Sequence, residues 1–236
     1  MNPKLVFNKK GVTLIELLVG LVIFGIIIAG IYRVFIAQTR TYAVQDQVVE
    51  VQQDVRSAME LMLRDIRMAG YKSDINPVTL PTPVFPGDYT LNVKTDAIRV
   101  EYQKGVNRNA VVYYIDRTQL KRDLYINDVA DAANNPEILL DNVTALNFTY
   151  GVDGIVGFDA SQDGGMDDRN GDGIIDDSDC NVSAATVNGG NLNIIAIRVT
   201  LAAKPSPGGN PDIGNIAART LVSTVNLRNL CLMKSN

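Results

Sequence analysis

The clearest chemical signal in the chain is a twelve-residue acidic stretch, residues 168–179. Oxygen-bearing side chains occupy its positions 1, 3, 5, 9 and 12, and a glycine occupies position 6. This is the spacing of an EF-hand-type calcium loop, in which position 7 contributes its backbone carbonyl. The predicted Ca²⁺ ligands are the side chains of Asp168, Asn170, Asp172, Asp176 and Asp179 and the backbone carbonyl of Ile174.

Two features distinguish this stretch from a paired EF-hand. Asp179 stands at position 12, where an EF-hand has Glu, and this looks more like the dockerin variant of the loop. No convincing helix precedes residue 168, so we expect a single loop carried by a globular domain. Residues 153–179 hold nine aspartates and one arginine, which makes them the strongest electrostatic feature of the chain. The alternative interpretation is a flexible acidic surface loop.

A second chemical signal is the position of Glu16. It is the only charged residue between Val12 and Tyr32. As a helix, those 21 residues would span a bilayer core of about 30 Å. A carboxylate in hydrocarbon costs several kcal/mol unless it finds a partner, so its presence predicts a functional role. The alternative is a carboxyl group that is protonated or that reaches the nearby interface.

The sequence around this run distinguishes a membrane anchor from a cleaved secretory signal peptide. Lys4, Lys9 and Lys10 precede the run without any acid, which predicts a cytoplasmic N-terminus. The run is too long for a signal peptide, no Ala-x-Ala site follows it, and helical periodicity continues past its end. We therefore expect one membrane-spanning helix.

The segment from Lys9 to Val19 resembles the class III leader of type IV pilins and of type II secretion pseudopilins. It consists of basic residues, a glycine and a T-L-I-E-L apolar run. The resemblance implies cleavage between Gly11 and Val12 by a prepilin peptidase, and N-methylation of the new first residue. It also implies that Glu16 pairs with the N-terminal amine of a neighbouring subunit. The chain departs from the family in having Val12 where Phe or Met is commoner, and in lacking the proline that many major pilins carry in this helix.

A periodic apolar pattern extends the helix beyond the anchor. No Pro or Gly interrupts residues 31–69, and Gly70 is a natural C-cap. Apolar residues at steps of three and four predict a stripe that packs beneath a C-terminal domain, with a coiled-coil seam as the alternative. The stripe comprises Val44, Val48, Val51, Val55, Ala58, Met62, Ile66 and Ala69.

The predicted end of this helix carries a second resemblance. The sequence from Arg64 to Tyr71, RDIRMAGY, is similar to the helix ending of minor pilins of the PilW type. A plain helix terminus, with arginines near the negative end of the dipole and a glycine stop, is an interpretation compatible with it.

The rest of the chain predicts a β-rich head. Four prolines fall within residues 71–96, which we interpret as an extended linker. Five later runs rich in Val, Ile, Tyr and Thr, without alternating helices, favour a mostly antiparallel sheet packed on the amphipathic half-helix. The predicted class is therefore α+β. The runs cover residues 97–102, 110–115, 146–150, 193–201 and 220–227.

The head carries weaker resemblances and two cysteines. Residues 142–150 and 225–229 look like parts of the heads of PilW-type pilins and of the related J-type pseudopilin. Cys180 directly follows the acidic loop, and Cys231 lies near the C-terminus. For a head exported from the cytoplasm we predict a disulfide between them, and two buried free thiols are the alternative.

Composition limits the function classes. The chain has no histidine, so histidine-based triads, zinc sites and general bases are excluded, and no nucleophile–base set or phosphate loop indicates an enzyme. A net charge of −4 without a basic run gives no reason to expect nucleic acid. The predicted organisation is a leader (1–11), a membrane or fibre-core helix (12–38), its amphipathic continuation (39–70), a linker (71–96) and the head (97–236).

These signals together predict a structural subunit. The resemblance implies a minor type IV pilin in the bacterial inner membrane that primes or joins a pilus, near its tip, with a Ca²⁺ loop in its head. The implied partners are other major and minor pilins, the prepilin peptidase, the inner-membrane assembly platform and a tip adhesin. The alternatives are a minor pseudopilin of a type II secretion system and a membrane-anchored, calcium-dependent adhesion module.

Overall fold

The computed structural model of the chain describes residues 11–88, 90, 92–133, 136–154, 165–188, 193–206, 216–227 and 229. By their internal contacts the residues form two units, Met1–Asp46 and Gln47–Asn236. Helix α1, Leu14–Arg67, contributes residues to both units.

In the first unit, α1 is apolar apart from Glu16 and exposed all round from Leu14 to Tyr32. The side chains of Leu14, Leu21 and Phe24 are 83%, 66% and 63% exposed, and no part of the most apolar window is buried. An all-round apolar helix has no single face to bury in a globular core. This one is long and apolar enough to cross a membrane, which supports the predicted anchor.

In the second unit α1 is amphipathic and supplies part of the hydrophobic core. Its buried stripe runs from Val51 to Ile66 and includes Val55, Ala58 and Met62. These positions were predicted from their spacing, and the prediction is confirmed. The stripe packs with the strands of the head, so no coiled-coil seam is needed to explain it.

Both ends of α1 follow from local sequence. The helix begins at Leu14, two residues after the predicted start at Val12, because Thr13 acts as its N-cap. At the other end Gly70 has a φ of 75°, the left-handed conformation that a C-capping glycine adopts without steric cost. Its N–H donates to the carbonyl of Glu101 at 2.9 Å, so the turn after the helix is fixed against the first sheet.

The first sheet has six strands, and all of its pairings are antiparallel. Its order is β1-β2-β3-β4-β5, and β6 pairs with β4 next to the β4–β5 hairpin. The strands are β1 (Val84–Phe85), β2 (Ala97–Lys104), β3 (Asn107–Asp116), β4 (Gln119–Ile126), β5 (Val129–Ala130) and β6 (Glu137–Leu140).

The second sheet has three antiparallel strands in the order β7-β8-β9. They are β7 (Val143–Asp153), β8 (Asn193–Ala203) and β9 (Arg219–Asn226), and the short helix α2 (Ala184–Asn188) lies between β7 and β8 in sequence. Inward-facing residues of both sheets, among them Ile98, Tyr113, Phe148 and Ile197, join the core that α1 completes. The predicted α+β class with a long helix packed on antiparallel sheets is confirmed.

The structure adds elements that the sequence pattern did not indicate. The five predicted runs lie within β2, β3, β7, β8 and β9, apart from the last residue of the final run, whereas β4, β5, β6 and α2 were not predicted. β4 reads QLKRDLYI, in which charged side chains obscure the alternation of a half-buried strand.

Residues 71–96 also differ from a simple linker. They contribute β1, and the carbonyls of Tyr71 and Pro83 accept hydrogen bonds from Gln103 and Glu101 of β2. This segment therefore covers an edge of β2.

Candidate functional site

The predicted cleavage site lies immediately before α1. Gly11, Val12 and Thr13 are exposed and precede the first helical residue. A peptidase must bind its substrate in an extended form, and backbone outside a helix meets that condition without unfolding. The structure thus leaves the Gly11–Val12 bond accessible.

Glu16 closes a capping box with Thr13. Its Oε2 accepts hydrogen bonds from the backbone N–H and the hydroxyl of Thr13, both at 3.0 Å. The Thr13 hydroxyl oxygen in turn accepts the N–H of Glu16 at 3.3 Å. This T-x-x-E arrangement satisfies N–H groups that the first helical turn cannot satisfy itself. The T-x-x-E spacing of this capping box is visible in the sequence, whereas the prediction for Glu16 rested only on its charge.

The capping box uses only part of the carboxylate. Both hydrogen bonds reach Oε2, and Oε1 accepts none from the residues that the structure describes. Glu16 can therefore keep its local contacts while Oε1 receives a donor from another chain. A negative charge at the N-terminus of a helix is also favoured by the helix dipole.

The acidic stretch folds into a compact loop organised by side-chain-to-backbone hydrogen bonds. Asp168 accepts the N–H of Gly171 on Oδ1 at 2.8 Å and that of Gly173 on Oδ2 at 2.7 Å. Asn170 and Asp172 accept N–H groups two residues further on, at 2.9 and 2.8 Å. Both glycines have positive φ, 74° and 80°, which non-glycine residues adopt only at a steric cost.

Asp179 closes this loop from its far end. The residue is 1% exposed; its Oδ1 accepts the N–H groups of Arg169 and Asn170 at 2.8 and 3.2 Å, and its Oδ2 accepts that of Asp176 at 3.0 Å. Burial alone would raise the pKa of Asp179, but these three backbone donors outweigh it and lower the pKa. The carboxylate is therefore held in its charged form.

The six predicted Ca²⁺ ligands have the chemistry that a hard divalent cation requires. Their arrangement meets the geometric requirement only in part. The predicted side-chain ligands are all oxygen donors in one loop, and the Asp176 carboxylate is kept ionised by the hydroxyl and N–H of Ser178, which lower its pKa. Among the described residues, however, no three acidic side chains lie close enough together to hold a metal ion. Several of their oxygens are already bonded to backbone N–H groups of the loop.

The cysteine pairing can be followed at one end only. Cys180 is fully buried, and its Sγ lies 3.6 Å from the carbonyl of Thr149. Burial raises the pKa of its thiol to about 12. Within the described residues Cys180 is a free cysteine, and Cys231 lies outside them. The Cys180–Cys231 disulfide stays a prediction.

A buried charge cluster in the second unit was missed by the sequence analysis. Asp65 on α1 is 4% exposed and accepts the hydroxyl of Tyr113 at 2.7 Å. Arg122 on β4 donates to the same carboxylate from Nε at 3.0 Å and from a terminal guanidinium nitrogen at 2.9 Å, and it also pairs with Glu137 at 3.1 Å. One signal was present: Asp65 lies between Met62 and Ala69 at steps of three and four, on the buried side of the helix.

The end of α1 also receives a contact from the C-terminal region. The side-chain amide of Asn229 donates to the carbonyls of Arg67 and Ala69, at 3.2 and 3.3 Å. Carbonyls of the last helical turn have no partner within the helix, so an external donor stabilises them. Asn229 therefore meets the segment of residues 64–71 at this end of the helix.

Comparison with known families identifies a motif in the N-terminal region that contains the predicted cleavage site and the capping box. Residues 7–32 match the prokaryotic N-terminal methylation motif, which indicates a precursor of the type IV pilin-like or pseudopilin kind. The motif implies processing by a prepilin peptidase and assembly with other pilins, and it points to a structural protein rather than an enzyme. No curated protein matches the chain.

Proposed function

We propose that the chain is a minor type IV pilin of the PilW type, which enters the inner membrane through α1 and primes or joins a pilus near its tip. The observation that carries the proposal is Glu16 in its capping box, inside the matched motif of residues 7–32 and within an exposed apolar helix. The sequence RDIRMAGY at the end of α1 favours this type of pilin over others.

The proposed assembly step follows from the chemistry at the N-terminus. Cleavage between Gly11 and Val12 would create an amine on Val12, the residue before the N-cap Thr13, and N-methylation leaves that amine basic. In hydrocarbon an isolated amine and an isolated carboxylate are each costly, so bringing the amine of one subunit to Oε1 of Glu16 in the next relieves both costs. Removing residues 1–11 also removes Lys4, Lys9 and Lys10 from the anchor.

A second candidate from related machinery is a minor pseudopilin of a type II secretion system. The methylation motif supports it equally, because the motif indicates pilin-like and pseudopilin precursors alike. The two functions differ in the machinery that the subunit joins. Co-isolation with secretion-system components instead of pilus components would favour this second candidate.

The calcium loop is a further part of the proposal. Binding of Ca²⁺ by the six predicted ligands, Asp168 to Asp179, would require the carboxylates to turn from their backbone donors towards one point. The support is the oxygen donor set, the two glycines with positive φ and the ionised Asp179. Ca²⁺ would then reduce the repulsion within the acidic stretch. A membrane-anchored adhesion module that uses the same loop is the alternative from another function class.

Intact-mass measurement of the protein extracted from membranes tests the main proposal. We expect a mature chain that begins at Val12 and carries one added methyl group, recovered both in the inner membrane and in sheared fibres. A chain that retains Met1–Gly11 would contradict the pilin assignment. A processed chain that is absent from fibres would instead favour the pseudopilin or the adhesion module, and co-isolation with secretion-system components would distinguish these two.

A further inference from the structure

We propose that a groove beside α1 in the second unit receives residues 33–40 of the α1 helix of a second copy of this chain. The inference rests on the proposed function, because it assumes that subunits of this kind pack side by side. It adds to that function a specific contact between two copies.

The groove lies between α1 and β6 and combines an apolar wall with an acidic rim. Its volume is about 370 Å³. Glu50 and Asp54 of α1 and Asp141, which follows β6, provide the acidic groups. Ile138 of β6 is 51% exposed along the groove, so part of the apolar wall faces solvent. A partner suited to this surface presents both apolar side chains and cations.

The acidic groups of the groove are not neutralised by ion pairs with the described part of the chain. None of Glu50, Asp54 and Asp141 forms an ion pair with any residue that the structure describes. Among the described residues that line the groove, Lys204 is the one base. Glu50 and Asp54 are four residues apart on α1, where like charges destabilise a helix. An incoming cation would relieve that repulsion.

The chain itself carries a helical segment of the complementary kind. Arg33 and Arg40 are the only charges in residues 17–45, both are exposed, and neither forms an ion pair within the described part of the chain. Seven residues are about two helical turns, so the two arginines lie on one side of α1, about 10 Å apart. Ile36 and Ala37, between them, lie within about 60° of Arg33 around the helix and supply apolar side chains on the same side.

Another segment of the chain that could be considered as the occupant is residues 207–215. These residues follow Ser206, which lines the groove, and they lie outside the described residues. Their sequence, PGGNPDIGN, contains one acid and no base. It offers no cation to the acidic rim, so charge complementarity favours the arginine-bearing helix.

Reciprocal charge reversal in the full-length chain tests the contact. Two differently tagged copies are co-expressed, crosslinked in sheared fibres, where subunits are offset along the helix axis, and purified through one tag. The groove variant is Glu50→Lys with Asp54→Lys, and the segment variant is Arg33→Glu with Arg40→Glu. We expect each variant, paired with itself, to recover about tenfold less of the second copy, the loss that corresponds to about 1.4 kcal/mol.

Co-expression of the two variants with each other gives the decisive result. The basic groove of one variant then faces the acidic segment of the other, and the unchanged groove faces the unchanged segment. Both contacts join opposite charges, so we expect recovery of the second copy at the wild-type level. Glu60→Lys, an exposed reversal on the same helix outside the lining residues, should leave recovery unchanged. Two results would overturn the inference. The first is recovery that neither reversal affects, which is the result expected if residues 207–215 occupy the groove. The second is recovery that stays low in the mixed pair.

Leader cleavage and membrane recovery of every variant are measured in the same cells. Wild-type chains that are cleaved after Gly11 and enter fibres, yet show no association of copies, would overturn the groove contact and leave the proposed function intact. Wild-type chains that are never cleaved would overturn the proposed function.

Discussion

Glu16 caps a helix in the structure and, under the proposed function, also pairs with a neighbouring subunit. Its Oε2 satisfies the N-terminus of α1 through Thr13, while Oε1 accepts no hydrogen bond from the described residues. The local contacts orient the carboxylate at the start of the helix, where an incoming amine of a neighbouring chain would arrive. The capping role and the proposed pairing role can be separated by substitution.

We predict that Glu16→Ala and Glu16→Gln both leave membrane insertion intact and both impair fibre incorporation. Insertion should not suffer, because removal of a charge makes the helix less costly to place in hydrocarbon. Gln can keep the capping box but cannot pair as an anion with an amine. Membrane fractionation and sheared-fibre recovery in a deletion background measure the two properties. Normal incorporation of the Gln variant would mean that capping, and not charge, is what assembly needs.

Asp65 presents the opposite case, a charge whose partners all lie within the chain. We predict that Asp65→Ala lowers the free energy of unfolding by about 3 kcal/mol or more, because Arg122 and Tyr113 would lose a buried acceptor. Asp54→Ala, on an exposed position of the same helix, should change it by less than about 0.5 kcal/mol. Urea unfolding of a fragment comprising residues 47–236 measures both, and equal losses would contradict the assigned role.

At the level of elements, the end of α1 depends on a backbone conformation that few residues tolerate. Gly70 has a φ of 75° and directs its N–H to Glu101. The amide of Asn229 reaches the preceding carbonyls of the helix. This turn therefore joins the helix, β2 and the C-terminal region.

We predict that Gly70→Ala destabilises the 47–236 fragment by about 1–2 kcal/mol, the cost of a left-handed conformation for a residue with a Cβ. Gly70→Asn should cost less, because Asn tolerates that conformation better. Thermal or urea unfolding distinguishes the two. If both substitutions cost the same, the space around the turn, rather than its φ, would limit the position.

For the whole molecule, the boundary of the stable fragment is decided by α1. The head strands alone lack the side chains from Val51 to Ile66, which belong to the same core. A soluble fragment should therefore begin near Gln47, the first residue of the second unit. That fragment is the appropriate material for measuring calcium binding.

We predict that millimolar Ca²⁺ raises the melting temperature of this fragment by about 5 °C or more relative to chelator. The rise follows if calcium binds the folded state at roughly a hundred times its dissociation constant. Asp172→Asn, at a predicted ligand, should remove most of the rise. Asp177→Asn, in the same loop but not among the predicted ligands, should retain it. A melt that is indifferent to calcium, with no heat of binding by calorimetry, would leave the acidic stretch as a surface loop.

The sequence by itself determined the features that depend on neighbours along the chain. The apolar run after Val12, the three-and-four spacing of the stripe and the stop at Gly70 are local patterns, and the structure has a helix in which all three are realised. The stretch Ala97–Lys104 likewise carries its own β-branched pattern. Such signals arise from side-chain periodicity and backbone conformational preference, which need no distant residue.

Only the tertiary structure decided which distant residues meet. Nothing in the local sequence of Asp65 indicates that Arg122, 57 positions away, donates to it. β4 forms a strand despite its charges because β3, β5 and β6 supply its backbone partners. The groove with the Glu50 and Asp54 rim exists because β6 is placed beside α1. These contacts are selected by burial and by the pairing of charges across the fold, and those energies depend on residues that the sequence separates.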